Sequence, residues 1–370
     1  MGISIQPYTE ERIPAVSAFN QRLAQGGFPA EFRFPASNVP HWLPKKDGRP
    51  IFQEYYLAVD GEFVRGGFIL KYQDFFLRGQ NCPVAYYHLP LSEGVVNKAY
   101  ASAGVLMLRS AMKMQPMLYA LGMGGFDNPL PTMLKAMGWS LCAVPFYFQV
   151  NHPFSFLRNI GPLHASFSRA LLANLAAFTG AGWAGIKTIQ RLRMRGAIRG
   201  LETEPVTSFG VWADELWQEC SPLYAMIGCR GSSVLNCLYP PGKNFLCFKV
   251  IRGPQLLGWA VLLDTQMSKN KYFGDLRVGS IVDCLATPEN ASAVVQAATR
   301  ILQKRGADLI LCNHSHSAWG NAFRTAGFLS APSNFIFAAS KPLAQKLEPF
   351  ASSQHEVYLM RGDGDGPVNL

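Results

Sequence analysis

The sequence predicts an α/β protein built from two domains, each a mixed, splayed central sheet flanked by helices, related by internal duplication. Three observations lead there. Residues 279–337 hold two apolar runs on either side of one amphipathic stretch of helical length, the pattern of parallel strands joined by a helix. The same runs and turn glycines recur at matching offsets in the first half of the chain. At 370 residues the chain is also too long for one typical core.

Each half is expected to run hairpin, strand, helix, strand, short helix, strand. In the first half EYYLAVDGEFVRGGFIL turns at Asp60-Gly61, VAYYHLPLS reads as the next strand, and MLYALG from Met117 as the one after. In the second half the hairpin turns at Arg252-Gly253, SIVDCLA is the strand, and a helix from about Thr287 to Arg305 follows. Thr287 is the expected N-cap with Pro288 behind it, Val294, Val295, Ala298, Ile301 and Leu302 recur at helical spacing, and Gly306 is the expected C-cap. ADLILC then forms a strand, a short helix ends at Gly327, and Phe335 to Phe337 is the last strand. The offsets agree between halves: Gly138 precedes Phe146-Tyr147-Phe148 by eight residues, as Gly327 precedes Phe335-Ile336-Phe337. Gly66 and Gly258 each lie five residues past their turn glycine. The expected division is 1–151, a basic helical connector 152–200, 201–342, and a strand with an exposed tail over 343–370.

Charged residues make up 16% of the chain, well below the usual quarter, and the net charge is +10. That balance reflects either plain solubility or polyanionic partners. The eight cysteines sit singly in apolar runs and look like small hydrophobes in a reducing compartment. The acidic start MGISIQPYTEERIP is unlike a signal peptide, so a cytoplasmic protein is expected. The connector is uncharged from Ala170 to Ile186 and then carries Lys187, Arg191, Arg193, Arg195 and Arg199. It is either a helix packed between domains or an interfacial helix, over 166–199, on the anionic inner face of a membrane.

The closing pattern at Gly138-Trp139 and Gly327-Phe328, with the element order before it, resembles the GNAT superfamily of acyl-CoA-dependent N-acyltransferases. The pair of halves resembles tandem GNAT proteins, an architecture shared with Fem-type aminoacyl-tRNA-dependent transferases. The resemblance implies an acyl-CoA such as acetyl-CoA as co-substrate, no metal, and a pyrophosphate resting on N–H groups at the start of the helix after the fourth strand. In the first half that register is Ala99 to Gly104, pointing to Ser102, Ala103, Gly104 and Val105; the glycine of Gly104 is kept and the basic or amide residue is not. The stretch Glu289 to Val295 of the second half has no glycine. The tyrosine expected on the short helix is Leu134 in one half and Phe323 in the other.

The resemblance places a general base near the fourth strand, where Asp283 and His88 stand as candidates; each has an alternative as a hydrogen-bonded core residue. Asn313, His314 and His316 follow a strand directly, where parallel sheets bind ligands, so the two histidines are candidates for acid and base. The matching loop of the first half offers Gly124, Asp127 and Asn128 to an acceptor. Arg230 and Asn236 are candidates for an anionic group, or for capping a helix. GAGWAG at 180–185 lacks a preceding strand and the acid that would hold a ribose, and Asp363-Gly364-Asp365-Gly366 lacks the ligands of a calcium loop. The expected activity is acyl transfer from acyl-CoA to an amine or hydroxyl of a small molecule or saccharide. The alternatives are a Fem-type transferase using tRNA and a non-catalytic ligand-binding protein.

Overall fold

The computed structural model describes residues 2–29, 31–160, 181–194 and 196–364. The first half of the sequence supplies β1 (Ser4–Pro7), α1 (Ile13–Gln25), β2 (Ile51–Asp60), β3 (Phe63–Leu77), β4 (Gln80–Ser92), α2 (Ala103–Met114), β5 (Leu118–Met123), α3 (Pro129–Ala136), β6 (Ser140–Ala143) and β7 (Phe146–Val150). After α4 (Pro153–Asn159) and α5 (Ala181–Arg193) come β8 (Leu201–Pro205), α6 (Val211–Cys220), β9 (Met226–Gly228), α7 (Ser232–Leu238), β10 (Leu246–Arg252) and β11 (Gln255–Gln266). The chain continues through β12 (Arg277–Ala286), α8 (Ala291–Lys304), β13 (Leu309–Asn313), α9 (Ser317–Thr325), β14 (Leu329–Ala331), β15 (Phe335–Ala339) and β16 (Val357–Tyr358).

Two compact units result. Unit 1 is Met1–Cys142 with Ile336–Ala351, and unit 2 is Ala143–Phe335 with Ser352–Leu370. The strand order of unit 1 is β1-β2-β3-β4-β5-β15-β6, and that of unit 2 is β8-β10-β11-β12-β13-β7-β14. These are one order written twice with β7 and β15 exchanged between the halves. The contiguous division of the sequence at 151 and 342 keeps each of these strands with its own half, whereas the sheets take them crosswise.

In unit 1, α2 buries Ala103, Met107, Leu108 and Ala111 against Phe68, Leu70, Ala85 and Tyr87. Ile69, one residue out of phase, packs instead with Val16, Phe19 and Leu23 of α1, so the sheet is covered on both faces. In unit 2, α8 repeats the role of α2. Its N-cap is Asn290, because Pro288 to Asn290 form a turn ahead of the helix rather than its first turn as the Thr287 reading had it. Gly306, at φ +83°, ends the helix as expected.

The paired glycines sit where a Cβ would meet both the neighbouring strand and the covering helix. A Cβ on Gly66 would lie 2.7 Å from Leu91 O and 2.8 Å from Met107 Sδ on α2. On Gly258 it would lie 2.4 Å from Leu285 O and 2.6 Å from Val294 on α8. A side chain at either position would overlap the carbonyl of the next strand and the helix side chain above it.

In each unit the fourth strand parts from its parallel neighbour. β4 pairs with β5 at Ala85–Leu118 and Tyr86–Tyr119, and β12 pairs with β13 only over Val278–Ser280. Both β4 and β12 also carry a bulge within the same interval, opposite Gly66–Leu70 and Gly258–Leu262. In β4 the bulge holds Leu89 at φ +44° and Pro90, which has no N–H to give the ladder. The stretch 161–180 of the connector, and with it 166–180 and Arg195 of the interfacial expectation over 166–199, lie outside the described residues. No described helix is long and apolar enough to cross a membrane.

Candidate functional site

The two gaps between parting strands are the candidate sites, and their contents differ. In unit 2 the gap holds the end of β16 and the segment after it. Tyr358 and Met360 lie against Cys284 of β12, with Met360 Sδ 3.5 Å from Cys284 Sγ, and the Tyr358 hydroxyl bonds Cys284 O. On the other side Met360 bridges His314, and Leu359 O accepts from Ser315 N at 3.1 Å.

Arg230 locks this segment in place. It is 1% exposed; its Nε donates to Asp283 Oδ1 at 3.0 Å, and one terminal nitrogen donates to both oxygens of Asp363 at 2.9 Å. Its other terminal nitrogen donates to Gly228 O at 2.9 Å, and the guanidinium lies 4.8 Å over the Tyr358 ring. Asp283 Oδ1 also accepts from Cys284 N at 2.9 Å, and Oδ2 accepts from Tyr239 at 2.8 Å. Burial pushes the Asp283 carboxyl up against the pull of Arg230, and the nearby Asp363 carboxylate adds to the rise. Asp363 is therefore no part of an exposed tail, as the sequence had it: it is 2% exposed and anchors the C-terminal segment. The oxygens of Asp283 that sequence reading assigned to proton transfer are engaged by internal donors.

His314 and His316 each use Nδ1 within the unit, while His314 Nε2 is buried without a hydrogen-bond partner. His314 Nδ1 accepts from His316 N at 3.1 Å, and its ring stacks on Trp319 at 5.1 Å. His316 Nδ1 accepts from Ala318 N at 3.2 Å and so caps α9. Burial lowers His314 well below the ordinary histidine value and His316 to about 4, so both rings are neutral near pH 7. Asn313 Oδ1 accepts from Arg361 at 3.1 Å, again holding the C-terminal segment. Asn236 bonds both backbone groups of Phe209, at 2.9 Å each, in place of a ligand.

In unit 1 the gap is lined differently. Tyr86 donates to Leu121 O at 3.0 Å across the parting strands, and His88 Nδ1 lies 3.3 Å from the same hydroxyl. With the Tyr86 proton on a carbonyl, the Tyr86 oxygen can accept from His88 Nδ1. His88 is half-buried and immediately precedes the bulge. Across the gap Gly122, Met123 and Gly124 take φ of +92°, +67° and +76°, turning the backbone sharply at the end of β5. Asn128 Nδ2 holds that turn through Met123 O at 3.0 Å, and Asp127 is exposed beside it.

The loop from β4 to α2 contains a charge cluster that sequence reading missed. Glu93, 3% exposed, is paired with Arg22 at 3.0 Å and Arg65 at 3.0 Å, and Arg65 lies 4.1 Å from the Tyr100 ring. Arg65 Nε is buried without a hydrogen-bond partner. The signal was an acid directly after an apolar strand, with its arginines inside the earlier elements α1 and β3. Beyond the loop, Ser102 stands at the N-cap of α2 without a side-chain cap bond, followed by buried Ala103 and half-buried Gly104 and Val105. Space remains at Gly104, where a Cβ would meet nothing nearer than 3.8 Å. A helix start with no side-chain cap, with Lys98 in the turn before it, is a place where backbone N–H groups can meet an anion, while both guanidiniums are engaged by Glu93.

No protein-family model and no curated protein matches the sequence. Solved structures do match in fold. A GCN5-related N-acetyltransferase from Anabaena variabilis ATCC 29413 superposes with TM-score 0.51 at 10% identity, over 91% of this chain and 72% of that one. A probable N-acyltransferase from Enterococcus faecalis V583 gives 0.50 at 9%, over 94% and 74%. Saccharomyces cerevisiae N-myristoyltransferase gives 0.50 at 9%, over 92% and 79%. The chain therefore has the GNAT fold. It carries that fold twice, as an internal duplication with one strand exchanged.

Proposed function

We propose that the chain is an acyltransferase that moves an acyl group from acyl-CoA to an amine, or a hydroxyl, of a small acceptor such as an amino sugar, an amino acid or an envelope precursor, and that the reaction runs in unit 1. One observation carries this reading. β4 parts from β5 beyond Tyr86 and runs through its bulge into the loop that leads to the start of α2, while the same gap in unit 2 is filled by the C-terminal segment. The names of the solved relatives support acyl transfer as the class of reaction.

In this reading the thioester lies across the bulge of β4, with the pyrophosphate on Ser102, Ala103, Gly104 and Val105. The acceptor nitrogen attacks the thioester carbon, a C–N bond forms and the C–S bond breaks. His88 Nε2 takes the proton of the attacking amine, and the departing thiolate recovers it. Gly124, Asp127 and Asn128 face the acceptor. Asp283, Arg230, His314, His316, Asn313 and Asn236 hold unit 2 together rather than touch substrate.

The test is a thermal-shift titration with acetyl-CoA, longer acyl-CoA, free CoA and aminoacyl-tRNA, since a ligand of the folded state raises the midpoint. Acyl-CoA is expected to do so, and Gly104→Asp to weaken it about tenfold by setting a carboxylate beside the phosphates. Gly104→Ala is the control. A rise with aminoacyl-tRNA alone would favour the Fem-type donor, and no rise with any of them would favour the non-catalytic alternative.

A further inference from the structure

We propose that unit 2 docks on an anionic lipid bilayer through one surface made of α4, α5 and the 267–276 loop between β11 and β12. These three segments meet over one apolar cluster, in which Phe156, Ile160, Ile186 and Phe273 pack around buried Met267, Leu276 and Val278. Asp275 N donating to Asn159 Oδ1 at 3.3 Å ties the loop to the end of α4. On α5, Ile186 and the buried Gln190, four residues apart, face inward.

Four large apolar side chains of these segments stand exposed. Leu192 is 82% exposed, Tyr272 54%, Ile189 47% and Phe154 44%. Around them the charge has one sign. Arg158, Lys187, Arg191, Arg193, Lys269 and Lys271 stand on these segments against the single carboxylate Asp275. Arg158 lies 5.3 Å over the Phe154 ring and Lys271 4.8 Å over that of Tyr272, so the cations are held beside the exposed rings. Lys187 has its pKa lowered by burial and then by Arg191, the crowding that anionic headgroups would relieve.

This combination selects lipid over nucleic acid. Cations and stacking rings would serve both, but Leu192 and Ile189 gain nothing from a phosphate backbone or a base. They gain from entering the headgroup and acyl boundary, where rings and aliphatic side chains both settle.

The test is co-sedimentation of the intact chain with phosphatidylcholine vesicles, with and without phosphatidylserine. Binding is expected only with phosphatidylserine and should fall as salt rises. Lys187→Gln with Arg191→Gln should lower the partition coefficient about fivefold per cation. Leu192→Gln, at a position too exposed to affect folding, should lower it roughly tenfold and leave the salt dependence unchanged. Equal sedimentation with both vesicles, or an unaltered Leu192→Gln protein, would overturn the proposal. So would vesicle binding displaced by homopolymeric RNA and indifferent to Leu192.

Discussion

The two units share a strand order, a bulged fourth strand and a glycine beneath the following helix, yet their charges are arranged in opposite senses. Unit 1 sets one carboxylate, Glu93, between two guanidiniums, Arg22 and Arg65. Unit 2 sets one guanidinium, Arg230, between two carboxylates, Asp283 and Asp363. The first arrangement leaves positive charge at the loop before a helix start. The second repels an anion and closes the gap with the chain's own C-terminal segment. On the proposed reading, duplication yields one cleft that takes an anionic donor and one filled by the chain's own C-terminal segment.

The sharpest way to break this contrast is to exchange the roles. His88→Ala is expected to lower turnover by about 10²–10⁴, the usual worth of a positioned base, while Asp283→Asn leaves turnover within about twofold. Steady-state rates of the two variants decide it: a large loss in Asp283→Asn with little in His88→Ala would move the chemistry to unit 2. The next effect is on stability. Arg230→Ala strands two buried carboxylates and should cost about 3–5 kcal/mol in denaturant unfolding. Asp283→Asn leaves Arg230 paired one-to-one with Asp363 and should cost about 1 kcal/mol or less. Similar losses in both variants would mean that the surplus carboxylate carries no penalty.

Much of the fold was legible because its signals are local. Asp60-Gly61, Arg252-Gly253, Gly306 and the apolar spacing of α8 each specify their own element, and Gly66 and Gly258 stand where the helices press on the sheets. The strand exchange was not legible, because Phe146-Tyr147-Phe148 and Phe335-Ile336-Phe337 carry the same pattern at the same offset and either would fit either sheet. His88 and the start of α2, on which the proposal for unit 1 rests, could be named from sequence because the bulged strand and helix start are sequence-adjacent. The sequence was misleading in unit 2, since the partner of Arg230 lies 133 residues away in a Gly-rich run that reads as tail. Glu93 was hidden for the same reason, its arginines being 71 and 28 residues distant.

A smaller effect tests whether unit 2 is closed as described. His316 is lowered to about 4 and His314 further by burial, so the unfolded chain takes up these protons first. Their contribution to stability is full above the unfolded value near 6.5 and is lost as pH falls; for His316 the loss is complete by about 4 and amounts to about 3 kcal/mol. Urea unfolding between about pH 7 and pH 4 should show this slope, and His316→Asn should flatten part of it. Asparagine keeps an oxygen for Ala318 N, so the cap of α9 survives near pH 7 while the titrating ring is gone. A wild-type protein with no such slope would have solvated histidines, and solvated histidines require the C-terminal segment to lie outside the gap. Unit 2 would then present a second open cleft, and the division of labour between the units would have to be drawn again from the charges alone.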